Sequence, residues 1–125
     1  MSVRSLVKPL LDPLVANRVW MDTTPDEGPG RDVSGNLNSF ILLSVMGGED
    51  AEYVDQTMGD KTHVRLQVSA FAPDTDTVET LIRAVRDSLL ESAYSVGVYG
   101  SPVGTYDAAR KLRVRFQQFS ILLPQ

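Results

Sequence analysis

His63 is the single histidine of the chain, with Asp60 three residues before it and Arg65 two after. An imidazole that moves protons or holds a metal needs a second group to orient it, and metal sites repeat their ligands at fixed spacing. No second histidine and no spaced His/Asp motif accompanies His63, which sits at the polar parity of an alternating segment. It reads as a surface or interface residue. Glu49, Asp50, Glu52, Asp55 and Asp60 offer carboxylates that calcium could use. Their spacing departs from the alternating ligands, turn glycine and closing glutamate of a calcium loop, so a solvated hairpin tip is the simpler reading. Gly97-Val98-Tyr99-Gly100 lacks both the spacing that cradles phosphate and the Lys-Ser/Thr pair that completes it. Cysteine is absent, which removes disulfides, thiolate metal sites and thiol nucleophiles together. These residues supply no matched acid and base, no nucleophile and no ligand set. The expected function is therefore non-enzymatic, with no metal and no cofactor.

Cations gather near the C-terminal end at Arg110, Lys111, Arg113 and Arg115. Lys111, Arg113 and Arg115 share one strand parity, so one face there is basic. Such charge commonly keeps an edge or outer face soluble. The sharper reading is a docking and candidate assembly face for acidic protein or DNA phosphate. Nucleic-acid stacking lacks the interleaved aromatics it would need. The net charge of −4 also opposes a bulk electrostatic grip on phosphate. Trp20, Tyr53, Tyr94, Tyr99 and Tyr106 are candidate interface anchors, with core packing the equal alternative for Trp20.

At 125 residues the chain is expected to be one domain with one core. Val3, Leu6, Val7, Leu10, Leu11, Leu14 and Val15 form a helical stripe with Ser2 as N-cap, and Pro9 and Pro13 predict a kinked or two-piece helix. A short extended segment, Arg18 to Met21, follows. The Gly, Pro and Asp density of residues 22–38 predicts a long loop, poorly ordered for want of apolar anchors. Its Asp26, Glu27, Arg31 and Asp32 are candidate docking residues. Phe40 to Met46 reads as a buried strand, a turn falls within 47–61, and Thr62 to Phe71 alternates as a strand with one polar face. Asp74 or Thr75 opens a helix whose buried stripe is Val78, Leu81, Ile82, Val85 and Leu89. Ser95 to Tyr99 reads as a short strand and Gly100 to Asp107 as a loop. In the last strand Leu112, Val114 and Phe116 have one parity, while Phe119, Ile121 and Leu123 have the other. Collecting both on one face requires a β-bulge near Gln117-Gln118. The sum is an α+β domain: a mainly antiparallel sheet of four to five strands, with two helices packed on one face.

In this order the segments resemble the small tail-completion, or tail-terminator-like, proteins of tailed bacteriophages and prophages. The resemblance rests on Arg18-Val19-Trp20 after the first helix and on Phe40-Ile41-Leu42 after the loop. It continues through Arg65 to Ala72, Leu81 to Leu89 and Arg113 to Ile121, nearly the whole chain. Ser39 replaces the usual proline and Gln118 stands where an acid is common. The resemblance implies a structural virion protein with no catalytic residues. It would form a ring, six copies being the expected number, that ends tail-tube growth and joins tail to head. Its implied partners are its own copies, the tail-tube protein and head–tail connector proteins, with neither sequence-specific nucleic acid nor membrane among them. Its implied places are the host cytoplasm during assembly and then the virion tail. A ring around DNA should not hold it, so the acids from Glu49 to Asp60, or another acid-rich loop, are expected to face the passage. Another neck protein or a monomeric cellular binding module remain the alternatives. From residue supply alone, purified protein should show no metal-dependent hydrolysis of nucleotides or nucleic acid. Turnover that persists through purification and vanishes in His63→Ala would overturn this.

Overall fold

The computed structural model describes the chain apart from residues 1–2, 24–27, 34, 36, 47–60, 93 and 125. Helix α1, Val3–Leu11, contains Pro9 and passes into a 3₁₀ turn, Asp12–Leu14, that contains Pro13. This is the expected two-piece helix. Lys8 spans the junction with a 2.8 Å ion pair to Asp12. Ala16 and Asn17 then take left-handed backbone angles, φ 49° and 68°, and turn the chain into strand β1, Val19–Met21.

Strands β2, Phe40–Val45, and β3, Lys61–Ala72, form an antiparallel pair. Helix α2, Thr75–Leu90, is capped by Asp74, whose carboxylate accepts from the Thr77 backbone N–H at 2.7 Å. That bond, with a second from the Thr77 hydroxyl, holds the Asp74 carboxyl below its usual value and keeps the cap charged where the helix dipole favours an anion. Strands β4, Ser95–Asp107, and β5, Leu112–Pro124, complete a five-stranded sheet in the order β1-β2-β3-β5-β4. Only β1–β2 is parallel.

Both helices pack on one face of the sheet. Val7, Leu11 and Val15 from the N-terminal segment join Val78, Leu81, Ile82, Val85 and Leu89 of α2 over Ile41, Leu43, Leu66, Val68 and Phe119. The Ser88 hydroxyl ties the helices together by donating to the Leu10 carbonyl at 2.8 Å. The predicted stripe of α2 is the buried one.

Three expectations need correction. The parity change along β5 is real, but β5 is not bulged against β3: twelve residue pairs run in register from Lys61↔Pro124 to Ala72↔Arg113. The two apolar sets serve different faces. Phe119 and Ile121 meet the helices, whereas Leu112 and Val114 join Phe40, Phe71 and Leu37 in a second cluster on the opposite face. The irregularity lies in β4, where Gly100, Ser101 and Pro102 fit between Tyr99↔Gln118 and Val103↔Phe116. Residues 100–107 are therefore strand rather than loop. Their Gly and Pro content marks an exposed edge with a bulge, where Pro102 interrupts no ladder.

The third correction concerns the 22–38 loop, which is anchored in its described part. Arg31 and Leu37 form a β-bridge, and the Asn38 side-chain amide donates to the Pro29 carbonyl at 3.1 Å. Leu37 is 3% exposed beneath this turn and closes the second cluster. In that cluster Phe40 stacks on Phe71 at 4.4 Å and meets Trp20 edge-on at 6.0 Å. Leu37→Ala should cost about 2–3 kcal/mol in chemical denaturation, the lower part of the usual range because a surface turn can settle into the gap. Val33→Ala, at a fully exposed position of the same turn, should leave the midpoint unchanged.

Candidate functional site

The most constructed polar feature among the described residues lies where α2 crosses β4 and β5. Glu79, Arg83 and Arg86 recur at i, i+4 and i+7, so the helix presents them as one row. Facing them, Arg115 and Gln117 point from β5 to the helix side. Ala70 and Val68 stand opposite on β3, and the small Ala70 leaves room for the arginine. With Ile82 and Pro102 these residues line a cleft of about 260 Å³.

Arg115 donates to Glu79 at 2.8 Å across this cleft. Its guanidinium lies flat against Gly104, where an added Cβ would stand 2.9 Å from a guanidinium nitrogen. Gly104 is required for that approach. Gln117 is 2% exposed, and its side-chain amide donates to the carbonyls of Tyr99 and Gly100. Both carbonyls lie where the β4 bulge begins, so Gln117 ties the bulge, and with it the cleft wall, to β5. Arg83 and Arg86 are exposed and have no hydrogen-bond or ion-pair partner among the described residues.

The expected basic face is only partly assembled. Lys111 precedes β5, in the turn, with a left-handed φ of 57°, and is exposed. Arg113 is exposed and stacks over Tyr106 at 4.8 Å. Arg115 is half-buried and already paired. β5 lies inside the sheet between β3 and β4, so its charges do not protect an edge. They emerge because β4 is narrow there, with Gly104 opposite Arg115.

The opposite face carries a separate polar patch. Arg65 stacks on Tyr99 at 4.7 Å and donates to Gln118 at 3.1 Å, while its Nε is buried without a partner. His63 lies in β3 opposite Leu122. Arg31 and Asp32 are exposed in the turn before Leu37, with Arg31 donating to the Gly35 carbonyl at 2.9 Å. Asp26, Glu27, Tyr53 and the acids Glu49, Asp50, Glu52, Asp55 and Asp60 lie outside the described residues. Among the described residues no cluster of three or more His, Cys, Asp or Glu could hold a metal.

Sequence reasoning missed Arg83, Arg86 and Gln117. The arginines were legible as part of a helical row, yet an exposed helical row usually means only solvation. Gln117 carried no signal, because its value depends on a bulge in another strand. Chemically, the cleft offers planar guanidinium donors suited to carboxylate or phosphate. Among the described lining residues there is no Ser, Thr, Cys or His. No protein-family model and no curated protein sequence matches the chain. Gln117→Leu should remove both bonds and cost about 0.5–1.5 kcal/mol, since the exposed Tyr99 and Gly100 carbonyls can turn to water. Amide exchange should accelerate around residues 99–103 more than elsewhere in the sheet.

Proposed function

We propose that this chain is a structural subunit of a tailed phage or prophage. It assembles with its own copies into a ring at the head-proximal end of the tail, ends tube growth and joins tail to head. The support from sequence is the order of the resembling segments, which fall on β1, β2, β3, α2 and β5 of one sheet-and-helix framework. The observation that carries the reading furthest is the asymmetry of the surface. The helix side exposes Tyr106 at the β4 edge and the guanidiniums of Arg83, Arg86 and Arg113. This cationic, aromatic surface belongs to a chain of net charge −4. A head-to-tail ring needs two different surfaces on each subunit, and a basic side on an acidic protein supplies them.

The partners in this reading are further copies, the tail-tube protein and head–tail connector proteins. No helix among the described residues is long and apolar enough to cross a membrane. A subunit near 35 Å across, roughly the size for this length, leaves in a six-membered ring a hole about as wide as itself. Sedimentation and electron microscopy should find rings, alone or on purified tail tubes. Lys111→Glu with Arg113→Glu should reduce ring formation while the circular dichroism spectrum is unchanged. A protein that stays monomeric in both settings would end the ring reading.

A further inference from the structure

The cleft between α2 and the β4–β5 hairpin holds more positive charge than the subunit itself uses. Glu79 neutralises Arg115 at 2.8 Å, which leaves Arg83 and Arg86 without a partner among the described residues. Their spacing of three residues sets two like charges side by side on the helix, an unfavourable pairing that an entering anion would relieve. The floor is fixed by the buried Gln117 and flanked by the apolar Ile82 and Pro102. A space of about 260 Å³ admits one or two carboxylate side chains with their methylenes against that apolar wall.

We propose that this cleft is the socket for the acidic β2–β3 connection, residues 47–60, of a second copy of the chain. The inference rests on the ring reading above and names the contact that would build the ring. Residues 47–60 carry five carboxylates and no basic residue. Charge complementarity with the cleft is therefore direct, and carboxylates suit forked guanidinium donors. In a head-to-tail ring the two complementary surfaces lie on different copies, so the segment that fills the cleft is a neighbour's. The contact is heterologous, acid segment to arginine socket, and so propagates from copy to copy. On this placement those acids sit in the subunit contact, and the DNA passage takes its charge from other surfaces.

The test uses a labelled synthetic peptide of residues 47–60 and the full-length protein, with binding followed by fluorescence anisotropy at low salt. The expected result is saturable binding that weakens with added salt and falls about tenfold or more in the Arg83→Glu, Arg86→Glu variant. A peptide carrying Glu49→Lys, Asp50→Lys and Glu52→Lys should fail on the parent protein and regain binding on that variant. Both arginines are exposed, so an unchanged circular dichroism spectrum certifies the variant's fold. Peptide that does not bind, or binds parent and variant equally, overturns the socket. Capture of the peptide by a protein that forms no rings would sink the ring reading and leave the socket standing. Rings formed by the Arg83→Glu, Arg86→Glu variant would do the reverse.

Discussion

The unbroken pairing of β3 with β5 carries the rest of the molecule. Twelve residue pairs in constant register assign every side chain of both strands to one face. Leu66 and Phe119 then meet the helices, while Arg65 and Gln118 bond to each other on the opposite side. A slip of one residue would exchange these sets and bury guanidinium and amide groups in the helix-side core. The register is thus held by polar and apolar terms at once. It also determines where β2 and β4 attach, because each pairs with one strand of this central ladder.

Two covers complete the sheet in different ways. On one face α1 and α2 supply a continuous apolar layer, as expected for a helix-backed antiparallel sheet. On the other face a short turn suffices, since Leu37 alone reaches down to Phe40, Phe71, Leu112 and Val114. The rest of that face carries Gln67, Ser69 and the Arg65–Tyr99–Gln118 group, which tolerate water. Apolar residues of both parities on β5 follow from this division.

The bulge in β4 links the framework to the surface chemistry. Three residues opposite one interrupt the β4–β5 register, and Gln117 donates to the Tyr99 and Gly100 carbonyls beside the gap. The same distortion lifts Pro102 to the rim of the cleft. Beyond it Gly104 gives Arg115 the clearance to lie across the strand and meet Glu79. The bulge and proline also discourage unplanned pairing along an exposed edge.

Periodicity and breakers in the sequence determined the element order, the two-piece first helix and the buried stripe of α2. Each is a local property: apolar spacing, a proline without an N–H, an aspartate able to cap. They also placed β2 and β3 and the α+β class. What only tertiary structure decided is which face each β5 parity serves, because that depends on Leu37 and Phe40, residues more than 70 positions away. The same holds for β4, whose Gly and Pro residues look like a loop until β5 lies beside them. Arg115 reads as a free charge in sequence, yet Glu79 and Gly104 engage it from two other elements. Arg83 and Arg86 read as solvent-facing and are, but only the fold brings a cleft wall up to them. Local patterning determines what a segment becomes, whereas partners distant in sequence decide which surface it helps to make.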